Sequence, residues 1–228
     1  MSASDAIFSR LFPVSVMAVR ATPAMYDAPL YPDEALTVAN AVLSRRREFA
    51  AGRTAAREAL RRCGKEPASL PARPDRQPRW PAGYAGSISH CEGFCAAAVT
   101  PRSTILSVGL DVEPAAEIPR ELQALVFNEA ERARLEAAGR RIPAPWCRIG
   151  FCAKEAFYKC YYATEEKYLD FLDVEVSLGM DSDGQSGDFH ITIRPRSRLG
   201  GKEPSPVRGR WLADEEFILA GAVQCAAH

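Results

Sequence analysis

Val108-Gly-Leu-Asp-Val-Glu-Pro114 and, further along, Phe151-Cys-Ala-Lys-Glu-Ala-Phe-Tyr-Lys159 are the two stretches that decide how this chain folds. The first reads as a strand. Its apolar run begins near Ile105, and Pro114 ends it because proline cannot donate to a ladder. Side chains alternate along a strand, so Asp111 and Glu113 leave from one face. The second stretch reads as a helix, on which Glu155 and Lys159 lie one turn apart and share a side. Either piece alone is ordinary: a solvated strand end, and a surface helix with a Glu-to-Lys pair. Together they can bring three carboxylates and one ammonium to a point, as binding of an oxygen-seeking cation beside a phosphate requires.

Working outward, a helix is expected from about Asp33 to Cys63, with Gly52 as a place where it could divide and Gly64 as its stop. Before it, residues 1 to 32 read as a lead-in, with strand character from Phe12 to Val19. Pro67 to Pro81 reads as a Pro- and Arg-rich loop. Strands follow near Ala85 to Ser89, Gly93 to Thr100 and Ile105 to Val112. Helices are then expected over Pro119 to Leu125, Asn128 to Ala138 and Ala144 to Tyr162. Further strands are expected near Asp173 to Leu178, Phe189 to Arg194, Val207 to Leu212 and Phe217 to Gln224, with turn-rich loops over Asp181 to Gly187 and Arg196 to Pro206. Each half thus reads as helix first and antiparallel strands after, an α+β chain of two lobes, 1–114 and 115–228.

The chain has 228 residues, enough for two small lobes with a real core. Lys plus Arg number 29 and so do Asp plus Glu, a balance that argues against bulk nucleic-acid binding. Seven cysteines, none in a C-x-x-C pair, fit a reduced, cytoplasmic chain and not a zinc site. Neither a signal peptide nor a membrane-spanning run is expected.

The remaining chemistry is basic. Arg45-Arg-Arg47 with Arg53, and Arg76-Gln-Pro-Arg79, offer planar forks suited to phosphate. In Gly86-Ser-Ile-Ser-His90, a Ser hydroxyl and an imidazole can bind a phosphate oxygen. A Ser–His nucleophile is a weak reading, because residues this close on one strand rarely adopt triad geometry. Glu129 and Glu131 open a helix, and helix capping is the leading reading for at least one of them. His190 and His228 read as structural or terminal.

In order, Arg46-Arg-Glu-Phe-Ala-Ala-Gly-Arg-Thr-Ala-Ala-Arg57, Arg76-Gln-Pro-Arg-Trp-Pro81, Ser87-Ile-Ser-His90, Val108-Gly-Leu-Asp-Val-Glu113 and Phe151-Cys-Ala-Lys-Glu-Ala-Phe-Tyr-Lys159 resemble the 4′-phosphopantetheinyl transferases of the Sfp/EntD type. The start Phe151-Cys-Ala-Lys-Glu155 and the segment Leu169 to Glu175 look closer to the EntD-like branch. The resemblance implies a monomeric pseudo-dimer of two α+β lobes with the active site in the cleft between them. It implies transfer of the phosphopantetheine arm of coenzyme A to a serine of an apo acyl or peptidyl carrier, releasing adenosine 3′,5′-bisphosphate. Carriers of fatty acid, polyketide, peptide and siderophore synthesis all fit, and the carrier is expected to be a small acidic domain received near Tyr161, Tyr162 and Lys167. Asp111, Glu113 and Glu155 match the Mg²⁺ ligands, with Mn²⁺ as an alternative. Lys159 matches the residue that stabilises or protonates the leaving phosphate. Arg46 (or Arg47), Arg53, Arg76, Ser89, His90 and Lys154 match contacts to coenzyme A. The general base is Glu155, Glu131 or a metal-bound water. Gln77-Pro78 departs from the Lys-Pro of many relatives, which shifts the basic contact to Arg76. Two other classes compete, a non-catalytic coenzyme A-binding module and a two-metal phosphodiesterase.

Overall fold

The structure is a computed structural model that describes residues 3–103, 105–141, 144–194 and 207–225. The loop expected over 196–206 and the chain end at His228 lie outside the described residues. In chain order the elements are α1 (Ala3–Leu11), β1 (Met17–Arg20), α2 (Pro32–Thr37), α3 (Leu43–Arg62), β2 (Tyr84–Cys91), β3 (Phe94–Pro101), β4 (Ile105–Pro114), α4 (Arg120–Val126), α5 (Glu129–Arg141), α6 (Trp146–Glu165), β5 (Val174–Leu178), β6 (Ser186–Ile193), β7 (Val207–Ala213) and β8 (Phe217–Cys225). The α+β class is as expected, and every pairing is antiparallel.

Two sheets form, one ordered β1-β3-β2 and one ordered β4-β8-β7-β6-β5. β4 is the last strand of the expected first lobe, yet it pairs along its length with β8, from Ile105 opposite Cys225 to Pro114 opposite Phe217. The sheets therefore divide between β3 and β4, and β4 crosses the expected lobe boundary. β2 and β4 still run side by side, and serine side chains join them in place of a ladder. The Ser87 hydroxyl accepts from the Leu110 N–H at 3.0 Å, and the Ser89 hydroxyl accepts from the Val112 N–H at 3.2 Å. Buried amides must find acceptors, and here hydroxyls on alternate residues of β2 supply them.

Two helices replace the single one expected from Asp33 to Cys63. The chain breaks over residues 38–42, where Arg46 donates to the carbonyls of Ala41 and Ala39. Gly52 does not divide α3. It lets α3 approach β2, since a Cβ there would come within 2.8 Å of Ile88 Cγ2. The buried carboxylate of Glu34 on α2 accepts twice from Arg57 Nη1, at 2.7 and 2.9 Å, and once from the Leu70 N–H, clamping α2 and the following loop to α3. The lead-in contains a helix, α1, whose Phe8 and Leu11 are buried with the following Phe12 among Val108, Leu110, Val112 and Leu219. Strand structure there is confined to Met17–Arg20.

The larger core lies where α6 packs on β4, β8 and β7. Ile149, Cys152, Ala153, Ala156 and Cys160 face Ile218, Ala220, Ala222 and Trp211 there. Gly109 permits the closest approach. A Cβ at that position would overlap the Ala156 carbonyl oxygen and come within 2.8 Å of the Cys160 nitrogen. Among the described residues, no helix is long and apolar enough to cross a membrane.

Gly109→Ala should therefore push α6 off β4. Overpacking of this kind costs about 1–3 kcal/mol or more, and each kcal/mol lowers the midpoint of a chain this size by about 2–4 °C. Thermal unfolding followed by circular dichroism checks this. A midpoint equal to that of the unaltered chain would show that the helix and strand are not in contact there.

Candidate active site

α6 lies along β4 so that one face of the helix meets the two acidic residues of the strand. Asp111 is buried, and its Oδ1 accepts from Lys159 Nζ at 2.8 Å and from the Ser89 hydroxyl at 2.9 Å. Its Oδ2 is equally buried and has no hydrogen-bond partner. Glu113 Oε2 accepts from Arg148 Nη1 at 2.7 Å. Glu155 projects from the same side of α6, and among the described residues its carboxylate takes no side-chain hydrogen bond. Burial and then the Asp111 charge raise the pKa of Glu155 above the usual carboxylate range, with Lys159 opposing. Burial and then Asp111 raise that of Glu113 as well, against Arg148. The three carboxylates thus stand near enough to repel one another. Burial works against the Lys159 ammonium, but Asp111 and Glu155 hold its pKa above the ordinary lysine value.

Among the described residues, no group of three or more His, Cys, Asp and Glu side chains is arranged to hold a metal ion. The expected ligand set is gathered into one region but not closed into a cage, because Lys159 and Arg148 each occupy one carboxylate oxygen. The donor chemistry nonetheless fits a hard divalent cation. A buried carboxylate oxygen without a partner is costly, and Asp111 Oδ2 beside an unbonded Glu155 is a place where a cation would remove that cost.

Basic groups flank the acidic centre on the side of α3 and β2. Arg45 Nη1 lies 2.6 Å from His90 Nε2, and Glu48 Oε2 is 3.6 Å from His90 Nδ1. Burial lowers the His90 pKa, with Glu48 opposing, while Arg45 and Lys159 lower it further. Arg53 is buried, with its Nε on the Leu70 carbonyl at 2.6 Å and its guanidinium 4.2 Å from the centre of the Phe49 ring. Burial lowers its pKa to about 10, so it remains a cation at neutral pH. Arg76, in the left-handed region at φ 70°, shares with Lys159, Tyr158, Tyr162 and Trp80 a groove of about 320 Å³. A second, more apolar groove of about 180 Å³ opens beyond Glu155, lined by Tyr158, Tyr168, Leu169 and Phe171. Tyr158 belongs to both, so Glu155 and Lys159 stand where the two grooves meet.

Several sequence expectations are corrected by these contacts. Arg46 is turned onto the Ala41 and Ala39 carbonyls, and Arg47 is paired with Asp27. The arginine beside His90 is Arg45 instead. Lys154 lines the apolar groove beside Glu155, but its ammonium is engaged by buried acceptors. Its side chain is fully buried, and Nζ meets the carbonyls of Val126, Phe171 and Val174 and the Glu131 carboxylate within 2.8 to 3.0 Å. An ammonium has three protons, and these acceptors use them all. Glu131 is engaged in the same buried network. It caps α5 through the Asn128 N–H, accepts from the Val176 N–H and pairs with Lys154, all at full burial. Ser89 spends its hydroxyl on Asp111, Lys159 and the β4 backbone. Tyr161, expected on a partner surface, is buried against Phe157. Arg148 was missed, although it lies two turns before Glu155 and so on the same helix face, a spacing that could have found it.

Comparison with known proteins gives a consistent answer. Residues 33–100 match the family model described as the 4′-phosphopantetheinyl transferase N-terminal domain, and residues 107–210 match that of the 4′-phosphopantetheinyl transferase superfamily. The two matches divide between β3 and β4, where the sheets also divide. The chain is similar to 4′-phosphopantetheinyl transferase PptT of Mycobacterium tuberculosis, 37% identical over 195 residues, 84% of this chain and 85% of that one. It is also similar to 4′-phosphopantetheinyl transferase Svp of Streptomyces mobaraensis, 38% identical over 211 residues, 90% and 84% of the two chains. Enterobactin synthase component D of Escherichia coli is 38% identical over 131 residues, 56% of this chain and 60% of that one.

Removing one member of the buried Lys154–Glu131 pair strands the other charge, at a cost of about 3–5 kcal/mol. Lys154→Met should therefore shift the urea midpoint strongly. A phosphate contact would instead leave stability alone and weaken ligand binding. Equilibrium unfolding of the variant separates the two, and an unmoved midpoint would return Lys154 to the list of ligand contacts.

Proposed function

The chain belongs to the 4′-phosphopantetheinyl transferase superfamily, and from that premise we propose that it transfers the phosphopantetheine arm of coenzyme A to a serine of an apo carrier protein. The observation that carries the reading is the buried, half-partnered carboxylate of Asp111, set between Lys159 and Glu155 at the meeting of two grooves. The basic groove with Arg76 takes the adenosine bisphosphate end of coenzyme A, with Arg45 and Arg53 as the neighbouring cations and the His90 imidazole beside Arg45. The apolar groove takes the pantetheine arm. The pyrophosphate then lies between them, at Lys159 and the three carboxylates.

Asp111, Glu113 and Glu155 would hold a divalent cation, Mg²⁺ or Mn²⁺. When bound, it supplies charge neutralisation and orientation of the pyrophosphate. The carrier serine attacks the phosphorus that bears the pantetheine. A new serine O–P bond forms, and the bond to the bridging oxygen breaks, releasing adenosine 3′,5′-bisphosphate. Glu155 takes the serine proton, directly or through water, since it is the carboxylate of the three without a hydrogen-bonded cation of its own. Lys159 remains an ammonium, so it steadies the leaving phosphate as a fixed charge and need not give up a proton. Exposed Leu122, Leu125, Tyr168 and Leu172 lie on α4 and the segment after α6, beside the apolar groove, and support this face as the one that receives the carrier. All seven cysteines are free, which supports a reducing, cytoplasmic setting. We propose a monomer.

Intact mass of an apo carrier domain incubated with the chain, coenzyme A and Mg²⁺ should rise by one phosphopantetheine group, and chelation should prevent it. Glu155→Ala should abolish the gain, and its retention would remove Glu155 from the site. Arg45→Ala should raise KM for coenzyme A by roughly ten- to a hundredfold, the worth of a charged hydrogen bond, whereas Arg46→Ala should change it little. The reverse order would reinstate Arg46.

A further inference from the structure

We infer that Arg148 is a positioning residue for Glu113, holding one carboxylate oxygen so that the other is presented to the cation. The inference rests on the proposal that Asp111, Glu113 and Glu155 bind a divalent metal. Arg148 is left unused by the reaction as described, yet it is built into the site. Its Nη1 donates to Glu113 Oε2 at 2.7 Å, and its Nε donates to the Ala116 carbonyl at 2.9 Å, just past the end of β4. Both side chains are largely buried, at 19% and 21% exposure, which distinguishes the pair from a solvated surface bridge. The fork is thus tied at two points to the strand end whose carboxylate it orients.

Among the described residues, Glu113 Oε1 takes no hydrogen bond. Asp111 shows the same division of labour, with Oδ1 held by Lys159 and Ser89 and Oδ2 without a partner. A glutamate left unsupported would have to be ordered by the cation itself, at the expense of affinity. A competitor for the metal would grip both oxygens of Glu113. Arg148 grips one.

Binding of Mn²⁺ alone to the full chain, read from the paramagnetic resonance of the free ion, tests this without turnover. R148Q should weaken Mn²⁺ binding by about ten- to a hundredfold, the usual effect of losing a residue that orients a ligand. R148K should fall between R148Q and the unaltered chain, because an ammonium keeps the charge but cannot span Ala116 and Glu113 together. Mn²⁺ binding by R148Q as tight as, or tighter than, that of the unaltered chain overturns the inference and leaves the metal site standing. If R148Q fails to fold, R148K carries the test, and unweakened binding by it is overturning in the same way. If the unaltered chain binds no Mn²⁺, the metal proposal fails and this inference falls with it.

Discussion

The contact of α6 with β4 across Gly109 is the constraint on which the rest of the molecule depends. With no side chain between them, the Ala156 carbonyl and the strand backbone come into direct contact. Every other residue of the pair is then set by helix and strand geometry. Lys159 comes opposite Asp111, Arg148 comes opposite Glu113, and Glu155 falls between. A larger residue at Gly109 would lengthen each of these distances together, because one rigid helix carries all three charged groups. The site is therefore a property of one packing interface, although its surroundings come from the other sheet and from the loop bearing Arg76.

Burying three carboxylates together raises their energy, and the structure offsets this in an uneven way. Each of the two strand carboxylates has a cation on one oxygen, while the helix carboxylate has none. Complete neutralisation by arginine and lysine would give a stable core and no vacancy for a ligand. No neutralisation at all would protonate the acids, as the upward shifts of Glu113 and Glu155 already indicate. The observed balance leaves oxygens available near an ammonium, which suits the cation and pyrophosphate site proposed above.

Much of this was legible in the chain itself. The period-two placement of Asp111 and Glu113 and the one-turn spacing of Glu155 and Lys159 required no tertiary knowledge, and both elements form where the pattern puts them. What could not be read was partnership. Arg45, Arg46 and Arg47 are chemically alike, and only the break before α3 determines that Arg46 ties down the preceding carbonyls while Arg45 faces His90. Ser87 and Ser89 look like any small polar pair on a strand. Their role as the stitch between two sheets exists only because β4 left the first sheet for β8. Glu131 carried a readable signal, since Asn128 stands three residues before it in capping-box spacing.

Lys154 and Glu155 are neighbours, and on a helix neighbours point about 100° apart. One can face the core while the other faces the cleft, and that is how these two divide. The three carbonyls and one carboxylate around Lys154 come from the end of α4, from α5, from Phe171 in the turn before β5 and from the first residue of β5. They fix not only the position of α6 but its rotation about its own axis. A helix held only by apolar contacts can roll by a fraction of a residue at small cost. A buried ammonium with all its protons engaged resists that roll, since each degree lengthens several charged hydrogen bonds at once. Glu155 and Lys159 inherit their aim at Asp111 from this anchor. The lysine therefore holds the orientation of α6 from the core side, while its neighbour Glu155 faces the cleft.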